Sequence, residues 1–301
     1  MIDEPTLATL LEQARSLVEG GKRLHAVQLY RRITQEMPTL EVAWIELAEV
    51  YAEMKQLDAA EHALLEARQY SRDRYEITFL LGNLNLKRQH YDNALSYYNV
   101  LQTEEKLLPA RMRTHLNFNL GLIAFHRNNF RLAEDFFRKV QRLDQHFPKI
   151  NESIGELLLR RGAVAEAVGV LQTGVKNDTY SWIGHYLLGV AFMRLYDWRN
   201  AYEELVTAIE MDPKEPAAWQ LCGEVLIALQ QLDEAEQYLR KALELNPHLT
   251  DAVANFGSLL LKRGDYQRAR EFFEKALELD PKNRKALQGT AELNVATKLQ
   301  P

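Results

Sequence analysis

Apolar residues recur along the chain with helical spacing, and the same arrangement returns every 34 residues. In one such stretch, Leu116, Leu120, Ile123 and Ala124 follow one another at intervals that place them on one face of an α-helix. No stretch shows the alternation of apolar and polar residues that is typical of strands. The pattern therefore predicts an all-α chain built from repeated pairs of helices.

The repeats align on a small residue in the first helix of each pair, which is taken as position 8. They then begin near Leu7, Glu41, Tyr75, Thr114, Pro148, Trp182, Pro216 and Thr250. One step is 39 residues instead of 34, which predicts an insertion at about 104–113. We expect the insertion to lengthen a loop or a helix end, and to separate a block of three repeats from a block of five. A partial repeat at 284–299 is predicted to be a single capping helix that buries Leu287, Ala291 and Leu293.

Small and large residues hold fixed places in each repeat. Position 20 is always alanine and position 8 is glycine in six repeats, so we expect the two helices of a pair to approach closely where these residues meet. Position 24 is large and is expected to fill the space between successive pairs. Turn signals near position 15 predict a short, antiparallel connection within each pair: Gly20-Gly21, Arg161-Gly162 and Gly264-Asp265.

These repeats resemble the tetratricopeptide repeat (TPR) family. That family prefers a large residue at position 4, Leu at 7, Gly or Ala at 8, Tyr at 11, Ala at 20 and 27, and Pro at 32. The second repeat matches through Trp44, Leu47, Ala48, Tyr51, Ala60 and Ala67, and the seventh through Trp219, Gly223, Ala235, Ala242 and Pro247. The resemblance implies an all-α fold, a right-handed α-solenoid (superhelix) of about eight hairpins plus a C-terminal capping helix, as one array over residues 1–301.

The resemblance also implies that the first helices line a concave groove with positions 2, 5, 9, 12 and 13. In the third to sixth repeats these positions carry an apolar strip flanked by polar residues. We expect this strip to bind a peptide or helix segment of a partner protein. The alternative is that some of these side chains pack between neighbouring helices. The candidate peptide-binding residues are Phe79, Asn83, Lys87, His115, Phe118, Leu122, Phe125, Arg160, Tyr186, Val190, Met193 and Arg194.

The charges are unevenly distributed around a net charge of −5. Residues 111–149 carry a local net charge of +5, whereas residues 41–74 carry −4 and residues 210–280 carry −6. A basic middle suggests an acidic partner with apolar anchors, although part of this charge belongs to a solvated outer face. The acidic total disfavours nucleic acid. The family's dicarboxylate clamp is only partly present, because Asn83 stands at position 9 but Phe79 at position 5.

No sequence motif points to an enzyme, a metal site or a cofactor: the chain lacks metal-ligand spacings and phosphate-binding glycine loops. The single cysteine, Cys222, occupies an apolar position and is expected to be buried. Short apolar runs exclude a membrane-spanning helix, and the N-terminal residues lack the features of a signal peptide, so we expect a cytoplasmic protein. The leading interpretation is a non-enzymatic scaffold or adaptor. The alternatives are a structural or self-associating component, or the TPR domain of a larger enzyme.

Overall fold

The computed structural model describes residues 4–71, 74–177 and 181–298 of the chain. Within these ranges the chain forms seventeen α-helices and one 3-10 turn, and no strand. The prediction of an all-α fold is therefore confirmed for the described residues.

Contacts between backbone positions divide the chain into two compact units, Met1–Gln145 and His146–Pro301. The first unit contains four helix pairs, whose helices are α1 (Glu4–Glu19), α2 (Arg23–Glu36), α3 (Glu41–Glu53), α4 (Leu57–Tyr70), α5 (Arg74–Lys87), α6 (Tyr91–Thr103), α7 (Ala110–His126) and α8 (Phe130–Leu143). The second unit contains α9 (Ile150–Arg161), α10 (Val164–Asn177), α11 (Trp182–Arg194), α12 (Trp198–Met211), α13 (Pro216–Ala228), α14 (Leu232–Leu245), α15 (Thr250–Lys262), α16 (Tyr266–Leu279) and α17 (Arg284–Lys298). The boundary between the units falls one helix pair after the insertion.

Each unit is an α-solenoid in which the first helix of a pair, helix A, packs on the second, helix B. Helix B then packs on helix A of the next pair, as α2 does on α3 and α12 does on α13. Successive A helices also touch: α5 contacts α7 in the first unit, and α9 contacts α11 in the second. Each pair therefore buries its apolar residues against its own partner helix and its neighbours.

The glycines at position 8 make room for the large residue at position 24 of the same pair. A Cβ atom added to Gly82 would lie 2.3 Å from the Tyr98 ring, and one added to Gly121 would lie 2.5 Å from the Phe137 ring. The equivalent contact in the second unit, from Gly189 to Leu205, would be 2.6 Å. Position 24 therefore fills space inside its own pair, and it also reaches the next pair, as Phe273 does at Gly289 of α17 and Tyr98 does at Asn119 of α7. The absence of a side chain at position 8 makes room mainly for the large residue at position 24, and less for the alanine at position 20.

The turns within the pairs place position 15 in the left-handed region of backbone space. Gly162 and Gly264, which lie in turns that the sequence signals predicted, have φ values of 80°. Residues other than glycine adopt the same conformation elsewhere, including Gln89 at 61° and Tyr196 at 58°. The turn geometry therefore repeats even where its sequence signal does not.

The insertion lengthens both the connection and the following helix. After α6 ends, Glu105–Leu107 form the 3-10 turn, and α7 then begins at Ala110, before the predicted repeat start at Thr114. Glu105 accepts hydrogen bonds from Lys139 of α8 at 2.7 Å and from Asn117 of α7 at 2.8 Å. These hydrogen bonds attach the insertion to the helix pair that follows it, α7 and α8.

The last helix, α17, packs on both α15 and α16. Leu287 is 49% exposed and Ala291 is also exposed, so their predicted burial is wrong, whereas that of Leu293 is confirmed. The buried face of α17 is instead formed by Ala286, Gly289 and Leu293. The predicted last residue of this helix, Leu299, lies outside the described residues.

Candidate functional site

The surface considered as a site is formed by positions 2, 5, 9, 12 and 13 of the A helices, and is called the A face below. In the first unit its predicted binding residues lie on α5 and α7: Phe79, Asn83, Lys87, His115, Phe118, Leu122 and Phe125. In the second unit they lie on α9 and α11: Arg160, Tyr186, Val190, Met193 and Arg194. Lys87, Arg160 and Arg194 are exposed, and the other residues are half-buried.

The aromatic residues at position 5 in the first unit rest on the large residues at position 24. The Phe79 ring lies 6.1 Å from the Tyr98 ring, and the Phe118 ring lies 5.8 Å from the Phe137 ring, both in tilted contacts. Tyr98 and Phe137 are themselves buried. Phe79 and Phe118 are therefore each half-buried against a buried aromatic residue and are together called the supported floor below, which combines the predicted binding surface with the alternative of packing between helices.

Phe125 and His115 complete the predicted residues on α7, together with Leu122. The Phe125 ring lies 5.9 Å from that of Phe130 in the following helix. Burial lowers the pKa of His115, and the positive charge of Arg111 lowers it further. His115 is consequently neutral over a wider pH range than an exposed histidine.

Asn83 joins α5 to α7 through a small hydrogen-bond network. Its Oδ1 atom accepts from the Tyr98 hydroxyl at 2.7 Å and from Nδ2 of Asn119 at 2.8 Å. Asn119 also donates to the Tyr98 hydroxyl oxygen at 3.0 Å. Because Oδ1 is used within the fold, the amide NH2 group is the part of Asn83 left for a ligand. Sequence reasoning missed Asn119, since position 6 is not a groove position, and the several asparagines in α7 and the turn after it gave no means of choosing among them.

The exposed cations at position 13 bind the ends of preceding A helices. Lys87 donates to the carbonyl of Ala52 at 2.9 Å, and in the second unit Arg194 donates to the carbonyl of Leu159 at 2.5 Å. Both carbonyls belong to the last turn of an A helix, where carbonyl groups lack partners within the helix. Lys87 and Arg194 therefore stabilise the repeat junctions, in addition to any contact with a ligand.

Tyr186, on the A face of the second unit, feels the negative charge of several carboxylates. Burial raises the pKa of Tyr186, and the negative charges of Glu215, Asp251, Glu156 and Glu224 raise it further. The ring packs edge-on against Trp182, with centroids 6.1 Å apart. The phenol therefore stays protonated and can donate a hydrogen bond to a ligand.

Part of the basic charge that suggested an acidic partner is engaged in ion pairs. Arg127 pairs with Asp92 of the preceding helix pair at 2.5 Å, and Lys139 pairs with Glu105 at 2.7 Å. Arg138 lies 3.9 Å from Glu134. These ion pairs lower the net positive potential that a partner would meet.

Three family models, each described as tetratricopeptide repeat, match residues 45–106, 192–258 and 251–283. A search of the curated proteins found no match. No helix among the residues that the structure describes has the length and apolar character needed to cross a membrane.

Three solved structures illustrate the similarity in fold. The Cut9–Hcn1 hetero-tetramer of APC/C matches with a TM-score of 0.68 and 16% identity, covering 82% of this chain and 48% of that chain. PilW, a type IV pilus biogenesis factor, matches with a TM-score of 0.61 and 17% identity, covering 72% of this chain and 99% of its own. A thermophilic TPR protein of Thermus thermophilus matches with a TM-score of 0.50 and 22% identity, covering 62% of this chain and 100% of its own. At these identities the similarity shows the fold alone.

Proposed function

Since the chain belongs to the tetratricopeptide repeat family, we propose that it is a non-enzymatic scaffold whose A face binds a segment of a partner protein. Repeat arrays of this kind present extended surfaces made of one helix from each repeat. A partner segment would lie across successive A helices, with apolar side chains as anchors and hydrogen bonds that fix its position.

The observation that carries this proposal is the supported floor of the first unit. Phe79 and Phe118 stay half-exposed while the buried Tyr98 and Phe137 pack against them from within the pair. Rigid aromatic residues lose little conformational entropy on binding, so they contribute strongly to interfaces. The free amide of Asn83, beside this floor, can bond the main chain of a bound segment.

The A face of the second unit offers a similar combination. Tyr186, Val190 and Met193 are half-buried on α11, and Arg160 lies 3.7 Å from Glu156 at the edge. We propose that this surface also contributes to partner binding, and it is tested separately from the first unit.

Site-specific photocrosslinking tests the proposal in the first unit. A photoreactive amino acid replaces Leu122 on the A face in one variant, and the exposed Leu132 of α8 in a matched control. In native lysate, irradiation should give a defined adduct from position 122 and none of the same mass from position 132. Met193 on the A face and the exposed Leu245 of α14 form the equivalent pair in the second unit.

Three results would contradict the proposal. Equal adducts from positions 122 and 132 would place binding outside the A face. Adducts that appear with the purified protein alone would favour self-association. Absence of any adduct from position 122, in a variant whose circular dichroism matches the wild type, would remove the first unit from the binding surface.

A further inference from the structure

Two adjoining clefts open on the A face of the first three helix pairs, and the second of them reaches the predicted binding residues Asn83 and Lys87. The first has a volume of about 310 Å³, and its lining combines Arg15 with four carboxylates, those of Glu19, Glu46, Glu49 and Glu53. The second has a volume of about 140 Å³ and is almost entirely apolar. Its apolar walls are Ala48, Ala52, Ala60, Leu64, Leu80 and Leu84. Glu49 lines both clefts and therefore marks the point where they meet.

The cations near these clefts already have partners. Arg15 binds Glu46 through two nitrogen atoms, at 2.9 and 2.6 Å. Arg23 binds Glu53 at 2.8 Å. The third cation, Lys87, lines the apolar cleft together with Glu49, but its ammonium group donates to the Ala52 carbonyl at 2.9 Å.

Glu49 has no such partner: within residues 4–71, 74–177 and 181–298, no cation forms an ion pair with it. Glu49 is an exposed residue that lines both clefts. Partial burial of its carboxyl group raises its pKa, and the carboxylates of Glu46, Glu76 and Glu53 raise the pKa further. A positive charge placed beside Glu49 would therefore relieve repulsion among carboxylates and gain a charge-assisted hydrogen bond.

The apolar cleft has room for one large side chain. An apolar cavity of about 150 Å³ accommodates a benzene-sized group. A leucine, methionine or phenylalanine side chain therefore fits the cleft beside Glu49. Asn83, which also lines this cleft, offers its free amide group to the main chain of the same segment.

We propose that the A face of the first three helix pairs binds a basic segment of a partner protein, in which a lysine or arginine pairs with Glu49 and a neighbouring apolar side chain fills the adjoining cleft. The inference rests on the proposed function and specifies the chemistry of the ligand at this end of the first unit. The proposed ligand is basic, whereas the net charge of residues 111–149 led us to expect an acidic partner. The arrangement of one cation beside one apolar anchor gives the segment a defined position on the helices.

A random peptide library displayed on phage, selected on the full chain, tests the ligand chemistry. We expect enrichment of sequences with lysine or arginine next to leucine, methionine or phenylalanine. A synthetic peptide of the enriched sequence should bind wild type in a fluorescence anisotropy titration. Glu49→Gln should weaken it roughly ten- to hundredfold, the range for loss of a charge-assisted hydrogen bond. Glu49→Lys should weaken it more, and the matched control Glu203→Lys, on the exposed surface of α12, should leave affinity unchanged.

The other outcomes separate this inference from the proposed function. Enriched peptides that are acidic or uncharged, and that lose affinity with Leu122→Asp but not with Glu49→Gln, would overturn the basic-segment inference and leave binding on the A face intact. Failure to enrich any sequence would overturn the inference as well. Enriched peptides indifferent to both substitutions, in variants with unchanged circular dichroism, would contradict both proposals.

Discussion

The hairpin turns supply a quantitative test of how the repeats are stabilised. Position 15 of every pair has a positive φ, and only Gly21, Gly162 and Gly264 are glycines among these residues. The others are Lys55, Gln89, Asn128, Tyr196 and Gln230, with φ values of 61°, 61°, 58°, 58° and 63°. An ordinary L-residue pays roughly 1–2 kcal/mol in this region. Replacing it with glycine removes that strain but adds an entropic cost of roughly 0.5–1 kcal/mol.

Gln89→Gly should therefore stabilise the fold by about 0.5–1 kcal/mol, the difference between these two effects. Gln89 is exposed, and its backbone N–H keeps the bond to the Leu86 carbonyl at 2.9 Å, so little else changes. The reverse substitution, Gly264→Ala, should destabilise by a similar amount. No atom lies within 4 Å of the Cβ that it adds, so the substitution isolates the backbone conformation.

Urea denaturation followed by circular dichroism measures both effects as shifts of the transition midpoint at constant slope. Gln172→Gly, at an exposed position inside α10, is the control for glycine itself and should destabilise by about 1 kcal/mol. A midpoint lowered by Gln89→Gly, or left unchanged by Gly264→Ala, would refute the assignment of strain to these turns.

Three further substitutions or reactions probe the packing and charges. Gly121→Ala should destabilise the fold by about 1–3 kcal/mol, because the new Cβ meets the Phe137 ring, although alanine has the better helix propensity. In thermal denaturation, adding Phe137→Leu to this variant should recover part of the loss. Burial raises the pKa of Cys222 to about 12, so its thiol should resist a thiol reagent in neutral buffer until denaturant unfolds the protein. Burial opposes ionisation of Glu105, but hydrogen bonds from Lys139 and an asparagine outweigh it and lower its pKa. Its stabilising effect should be complete above the unfolded-state pKa and lost as pH falls through the lower folded-state pKa, and Glu105→Gln should remove that part of the pH dependence of unfolding.

The fold was predictable because the 34-residue repeat length and the helical spacing of apolar residues both indicate pairs of α-helices. Helices α3, α11, α13 and α15 begin at the predicted repeat starts, Glu41, Trp182, Pro216 and Thr250. The role of position 8 was not predictable from the period. The period shows that Gly121 must be small, but the neighbour that requires it, Phe137, lies in the other helix of the pair. A regular spacing of small residues therefore predicts that something packs closely there, but not which residue it is.

The candidate site was only partly predictable for a related reason. The residues of the apolar strip could be selected by position, but their exposure depends on the residue behind each one. Phe118 rests on Phe137, whereas the Oδ1 atom of Asn83 is occupied by Tyr98 and Asn119. Glu49 carried no signal at all, since a single glutamate at position 9 is ordinary in a charged helix. Its significance comes from three carboxylates contributed by other turns and another helix.

The net charge of a stretch of sequence is a poor guide to the surface charge of a repeat protein. An arginine at position 14 pairs with an aspartate at position 18 of the preceding pair three times: Arg88 with Asp58, Arg127 with Asp92, and Arg263 with Asp233. Arg127 thus counts toward the basic stretch at 111–149, while its partner lies outside that stretch. Because the repeat places such partners one pair apart, a local excess of charge measures junction ion pairs as much as binding surface. The charge available to a ligand is what remains after these pairs are removed, and on the first three helix pairs that remainder includes the carboxylate of Glu49.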